Sequence, residues 1–136
     1  MEKRKAEILN KLNKNNINKS NNTYIKMDYP KKTIEVTDAN FNEIVQKYPI
    51  VVVDCWAPWC MPCKMIEPTL EQLAQEMAGR VVFGKLNVDN NREVPTKYGV
   101  TGIPCLLIFK NSERVDSIVG AVPKQHIEEK LKPLID

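Results

Sequence analysis

Two cysteines three residues apart, Cys60 and Cys63, stand in the stretch Trp56-Ala57-Pro58-Trp59-Cys60-Met61-Pro62-Cys63. The stretch lies between an apolar run that reads as a strand and a periodic segment that reads as a helix. In a first helical turn this spacing projects both side chains to one side, close enough to form a disulfide without moving the backbone. A cysteine at a helix start meets free amide donors and the positive end of the macrodipole, which favour the thiolate of Cys60. Cys63, one turn in, is expected to be more shielded. The competing chemistry for such a pair is half of a structural zinc site. Zinc wants about four ligands, and the one histidine, His126, falls in the expected last helix, on its surface. Redox chemistry is the better reading.

The chain has 136 residues, 43% hydrophobic and 27% charged, which suits one globular core. No run approaches the roughly 18 apolar residues of a membrane span, so a membrane role is not expected. Residues 1–32 hold nine Lys or Arg against three Asp or Glu, a net +6, so the other 104 residues carry −3 of the chain's overall +3. The basic charge belongs to a tail, and nucleic-acid binding by the body is not expected. Four cysteines are too sparse for a disulfide scaffold. Lys11, Lys14 and the asparagines around them replace the apolar stretch that export needs, so a cytoplasmic location is expected.

The elements that must position the dithiol follow from patterning. Residues 1–32 read as a Lys/Asn-rich extension, with a short amphipathic patch at Ile8, Leu9 and Leu12 and six asparagines in the ten residues from Asn13 to Asn22. Such a segment buries too little to offset its ordering entropy. The domain is expected over 33–136. Thr33 to Val36 alternates like a strand, and Thr37-Asp38 is placed to cap a helix bearing Phe41, Ile44 and Val45. Ile50 to Val53 is a continuous β-branched run, expected as a central parallel strand buried on both faces, with Asp54 at its end. From Cys60 to Ala78, Ile66, Leu70, Leu73 and Met77 repeat at helical spacing, with Pro68 inside as an expected kink. Val81 to Val88 reads as a strand, Asn91 to Tyr98 as a short helix, and Cys105 to Phe109 as another buried strand. Asn111-Ser112 suggests a hairpin to Val115–Val119. Pro123 opens a closing helix with Ile127, Leu131 and Leu134. The order β-α-β-α-β-α-β-β-α predicts an α/β fold with a central mixed sheet and helices on both faces.

Trp-Cys-Met-Pro-Cys after Val-Asp-Cys-Trp-Ala-Pro resembles the thioredoxin family. The resemblance runs from Thr33 to Ile135 through Pro68, Lys85-Leu86-Asn87-Val88-Asp89, Tyr98 to Pro104, Phe109-Lys110-Asn111 and Val119-Gly120. It implies the thioredoxin fold and a thiol-disulfide oxidoreductase that reduces protein disulfides without metal or bound organic cofactor. Cys60 would attack a substrate disulfide to give a mixed disulfide, and Cys63 would resolve it. The resemblance further implies that Asp54 is a buried carboxylate beneath the pair, taking the Cys63 proton with help from Lys85. It implies a cis peptide at Ile103-Pro104 facing the dithiol. Trp59, Met61, Pro62, Ile103, Pro104, Gly120 and Ala121 would form the substrate-binding groove. The implied partners are disulfide-containing protein substrates and a thioredoxin reductase, NADPH/flavin or ferredoxin dependent. Asp54 as a plain strand-end carboxylate is the competing reading, and Trp56 reads as a core aromatic. A thiol oxidant or disulfide isomerase, and a non-catalytic partner-binding module of the same fold, are the alternatives for the whole chain.

Three positions depart from the family's pattern. Met61 replaces the usual glycine, putting an apolar, flexible side chain at the rim, where it would alter target contact and the dithiol–disulfide balance. Cys55 and Cys105 replace a phenylalanine and a hydroxyl residue. By strand alternation both face away from the dithiol on neighbouring strands, as inert buried thiols or as a second bridge. No spare apolar helix face is evident, so a monomer is expected.

Overall fold

The structure is a computed structural model that describes residues 28–136. The Ile8–Leu12 patch and the Asn-rich stretch of the extension lie outside the described residues. Among the described residues, nine elements follow in the expected order. They are β1 (Ile34–Glu35), α1 (Phe41–Lys47), β2 (Ile50–Trp56), α2 (Met61–Glu76), β3 (Val82–Asn87), α3 (Glu93–Lys97), β4 (Cys105–Lys110), β5 (Glu113–Val119) and α4 (Lys124–Ile135). The sheet order is β1-β3-β2-β4-β5.

The β-branched run of β2 is continuous because both of its faces are covered. Val51, Val53 and Cys55 join Phe41, Ile44 and Val45 of α1 in one core, while Ile50 and Val52 pack with Ile66, Leu70 and Leu73 of α2 and Ile127 and Leu131 of α4 in the other. Alternation along a strand gives this division directly. β2 is central but only half parallel: it runs parallel to β3 and antiparallel to β4.

Several local expectations are corrected. Asp54 does not end β2; the strand continues to Trp56, and Asp54 pairs in register with Lys85 on one side and Leu106 on the other. Paired neighbours on both sides carry the strand past a single polar residue. Asp38 caps α3 rather than α1. Its carboxylate accepts the Glu93 and Val94 amides, each at 3.0 Å, whereas Thr37 serves the turn into α1 by accepting the Asn40 amide. α2 passes through Pro68 as one uninterrupted helix, the missing donor falling on an exposed side. α4 begins at Lys124 with Pro123 at its N-cap position, and holds Pro133 in its last turn.

The β4–β5 hairpin turns through Asn111 (φ 52°) and Ser112 (φ 75°), the two left-handed residues that a tight primed turn requires. Ser112 repays its unfavourable backbone by donating its hydroxyl to the Val45 carbonyl at 3.2 Å. At the other sheet edge, a Cβ on Gly84 would overlap Val36 Cγ2, so only glycine lets the segment after β1 lie against β3. Thr33 is tied to α2 through its amide and hydroxyl, both donated to Glu71, and Tyr29 stacks on Tyr48 with ring centroids 5.2 Å apart.

Candidate active site

Cys60 occupies the N-cap of α2 and Cys63 its first turn, and the two are joined in a disulfide with Cα atoms 5.3 Å apart. Cys60 Sγ accepts the Cys63 backbone N–H at 3.2 Å. A sulfur that receives an amide hydrogen at a helix start is well placed to carry negative charge once the disulfide opens. The same sulfur lies 3.8 Å from the Ile103 carbonyl oxygen. Both cysteines are buried and pack on Ala57, with Trp56, Val88 and Ile103 around them. Cys63 is only slightly the more shielded of the two.

Around the dithiol the chain leaves large apolar groups in solvent. Trp59, Met61 and Met65 are each about two-thirds exposed, at 68%, 67% and 71%. Met61 and Met65 are one helical turn apart and so share a face of α2, an exposed apolar face absent from the sequence reading. Pro62 and Ala121 are exposed, Ile103 and Gly120 are half-buried, and Pro104 is buried. The Ile103-Pro104 bond is cis, and the Gly120 amide donates to the Pro104 carbonyl at 2.8 Å, holding the two segments together. A hollow beside Trp59 is floored by Val100, Gly102 and Ile103. Trp59 Nε1 donates to Asp89 Oδ1 at 3.2 Å. Sequence reasoning gave no site role to Met65, which the helical spacing from Met61 would have found, nor to Asp89 and the Val100–Gly102 segment, which it held only as parts of the family resemblance.

Asp54 is buried at 1% exposure, and neither carboxylate oxygen has a hydrogen-bond partner. It shares its face of β2 with Ile50 and Val52, the face that α2 covers. Burial pushes its carboxyl up from 3.8 to about 7, with the Lys85 ammonium pulling down and the Glu67 carboxylate pushing up. The competing solvent-exposed Asp54 is therefore excluded.

Lys85 acts on Asp54 through its charge and makes no hydrogen bond to it. Its ammonium is bonded to Glu67 on α2 and stands 4.5 Å from the centroid of the Trp56 ring. Trp56 is thus no plain core aromatic: it is half-buried and lines a cavity of about 290 Å³ with Lys85, Thr33, Glu35 and Asn87.

Cys55 and Cys105 are direct partners across β2 and β4, and both are free thiols in the core. Burial pushes both thiols up, so neither ionises readily. Among the described residues no group of three or more His, Cys, Asp or Glu is gathered to hold a metal ion. His126 is exposed on α4. No helix among the described residues is long and apolar enough to cross a membrane.

A scan against protein families matches the Thioredoxin model over residues 32–133. Similar curated proteins include Thioredoxin M-type, chloroplastic, of Pisum sativum, 48% identical over 102 residues. That match covers 74% of this chain and 59% of the pea protein, so the chain spans less than two thirds of that relative's length. Thioredoxin of Porphyra purpurea is 43% identical over 102 residues, covering 74% of this chain and 95% of the relative. Among solved structures, an N21Q mutant thioredoxin from Halobacterium salinarum NRC-1 superposes with a TM-score of 0.75 at 27% identity, covering 81% of this chain and 96% of the other.

Proposed function

Because the chain belongs to the thioredoxin family of thiol-disulfide oxidoreductases and carries that family's CxxC redox pair, we propose the following division of labour for protein-disulfide reduction. The Cys60 thiolate attacks one sulfur of a substrate disulfide, forming a Cys60–substrate bond and expelling the other substrate sulfur as a thiolate. Cys63 then attacks Cys60 Sγ, closing the Cys60–Cys63 disulfide and releasing the second substrate sulfur. Two electrons pass to the substrate, and a separate reductase returns two to the pair. The observation that carries this reading is the disulfide at the α2 start with the Cys63 amide donated to Cys60 Sγ.

Asp54 takes the proton of Cys63 for the resolving step. A carboxyl that titrates near 7 in a dry site is matched to that task at neutral pH. Lys85 tunes Asp54 by its charge. Trp59, Met61, Pro62, Ile103, Pro104, Gly120 and Ala121 receive the extended substrate chain, the exposed apolar rim supporting contact with an unfolded or loop segment. The electron source is a thioredoxin reductase, NADPH/flavin or ferredoxin dependent. The protein acts as a cytoplasmic monomer whose body, at −3, does not seek nucleic acid, and residues 1–32 form an extension separable from the 33–136 domain.

The test uses a disulfide-bonded protein substrate with a small dithiol as reductant. Cys60→Ser should abolish turnover, and reduced Cys63→Ser mixed with substrate after removal of the dithiol should accumulate a covalent complex that added dithiol dissolves. Turnover that survives Cys60→Ser overturns the assignment, and a native protein without turnover whose partner binding is unchanged in Cys60→Ser is a binding module. A redox titration separates the remaining alternative, since a strongly oxidising pair would mark a thiol oxidant or isomerase.

A further inference from the structure

Lys85 and Asp54 start side by side. They are register partners of parallel strands, on the sheet face covered by α2, and a buried carboxylate with two unpartnered oxygens is the natural destination for a neighbouring ammonium. Yet Lys85 Nζ turns away, to Glu67 and the Trp56 ring. Glu67 projects from the second turn of α2, immediately before Pro68, with its side chain 45% exposed against 18% for Lys85. The half-exposed carboxylate therefore pays little desolvation and serves as the anchor, while the lysine stem is the element drawn to it.

We propose that Glu67 is a positioning residue for the resolving step: by holding the Lys85 ammonium, it keeps Asp54 without an ionic partner. The inference rests on Asp54 being the proton acceptor only for its consequence in the reaction; the arrangement itself is read from the contacts. The groups that bear on Asp54 are few. Lys85 comes from β3, Glu67 from α2, Cys105 from β4, and Cys55 from its own strand. Glu35 of β1 lines the cavity where Lys85 lies. That cavity gives the lysine stem room to take another rotamer once Glu67 releases it. Its two settings differ in strength for Asp54. Paired with Glu67, the ammonium's pull is partly cancelled by the adjacent carboxylate. Freed, the ammonium stands between two register partners, Glu35 on β1 and Asp54 on β2, and the buried carboxylate without a partner gains its pull, which stabilises the ionised form.

The experiment follows the Asp54 carboxyl carbon by NMR across pH in the oxidised full chain, for the native protein, Glu67→Gln, Lys85→Gln and the double variant. Glu67→Gln should make Asp54 about tenfold more acidic, moving its midpoint down by about one pH unit. Lys85→Gln should move it up, and in that background Glu67→Gln should have well under half of its single effect. An unmoved midpoint in Glu67→Gln, or an equal fall with and without Lys85, overturns the inference, the second outcome because Glu67 would then act by its own charge. Circular dichroism of each variant secures the fold. The pH profile of target release from the mixed disulfide is recorded in parallel and judges a different claim. A carboxyl midpoint that moves while the release profile stays fixed removes Asp54, and Glu67 with it, from the resolving step and leaves standing that Glu67 keeps Asp54 without an ionic partner.

Discussion

Asp54 should make the oxidised protein less stable as the pH rises through neutrality, the opposite of what most carboxylates do. Its carboxyl binds a proton up to about pH 7 in the folded chain, against an ordinary 3.8. Between those limits the native state holds more protons than the unfolded state, so each step up in pH removes stability. The loss begins above about pH 4, is complete above about pH 7, and does not grow further. About three pH units at roughly 1.4 kcal/mol each give a total of about 4 kcal/mol, a large share of the 5–15 kcal/mol typical of a folded domain. Asp54→Asn removes the titration without changing the shape of the residue. The buried amide brings its own offset of about 1–3 kcal/mol from unpartnered donors, so the diagnostic quantity is the slope and not the absolute value. Guanidinium unfolding of oxidised native and variant protein, at half-unit steps from pH 4 to 8.5, gives the difference directly, with the other carboxylates cancelling between the two. We expect the variant to gain about 3–4 kcal/mol on the native protein across that range. Parallel curves, with a difference constant to about 0.5 kcal/mol, would refute the claim that Asp54 is ionised at a cost in a dry site.

Met61→Gly should shift the reduction potential of the Cys60–Cys63 pair or its preference among protein targets, because it strips an exposed apolar side chain from the rim. Side-by-side redox titrations and target competition check this, and identical results in both would dismiss a role for Met61. Unfolding the oxidised protein in an alkylating agent should label two thiols per chain, Cys55 and Cys105; no label would mean a second bridge. Gly84→Ala should cost about 1–3 kcal/mol through the clash with Val36, read as a lower denaturation midpoint, and an unchanged midpoint would show that the β1 edge yields freely.

What was legible in the sequence is what depends on near neighbours. The Ile50–Val53 run announced a strand covered on both faces, the spacing of Ile66, Leu70 and Leu73 announced α2, and Asn111-Ser112 announced a hairpin, each through a local period or turn requirement. The family pattern supplied Asp54, Lys85 and Ile103-Pro104 as candidates. What stayed hidden depends on residues brought together from afar. Asp38 reads as a cap for the helix that follows it, and only the tertiary approach of α3, 55 residues on, claims its carboxylate. Asp54 reads equally well as a strand terminus until β3 and β4 are seen pairing past it. The bonds from Lys85 to Glu67 and from Trp59 to Asp89 span 18 and 30 residues with no periodic signal.

The same strand alternation that exposed the double-sided core also explains how four cysteines coexist without exchanging partners. Asp54 and Cys55 are consecutive, so their side chains leave β2 on opposite faces: Asp54 toward α2, Cys55 into the core with Val53, Val51 and α1. Cys105 joins that same core across β4. To attack the Cys60–Cys63 disulfide, either thiol would have to ionise in an apolar surround that pushes its proton affinity up, and then leave its packed place in the core. Thiolate supply and access fail together. The helix start, by contrast, supplies Cys60 with an amide donor and an exposed rim. Reactivity in this chain is thus divided by surroundings and not by cysteine count: the start of α2 presents one pair beside an exposed apolar rim, and the core between β2 and β4 holds the other two thiols as small hydrophobes.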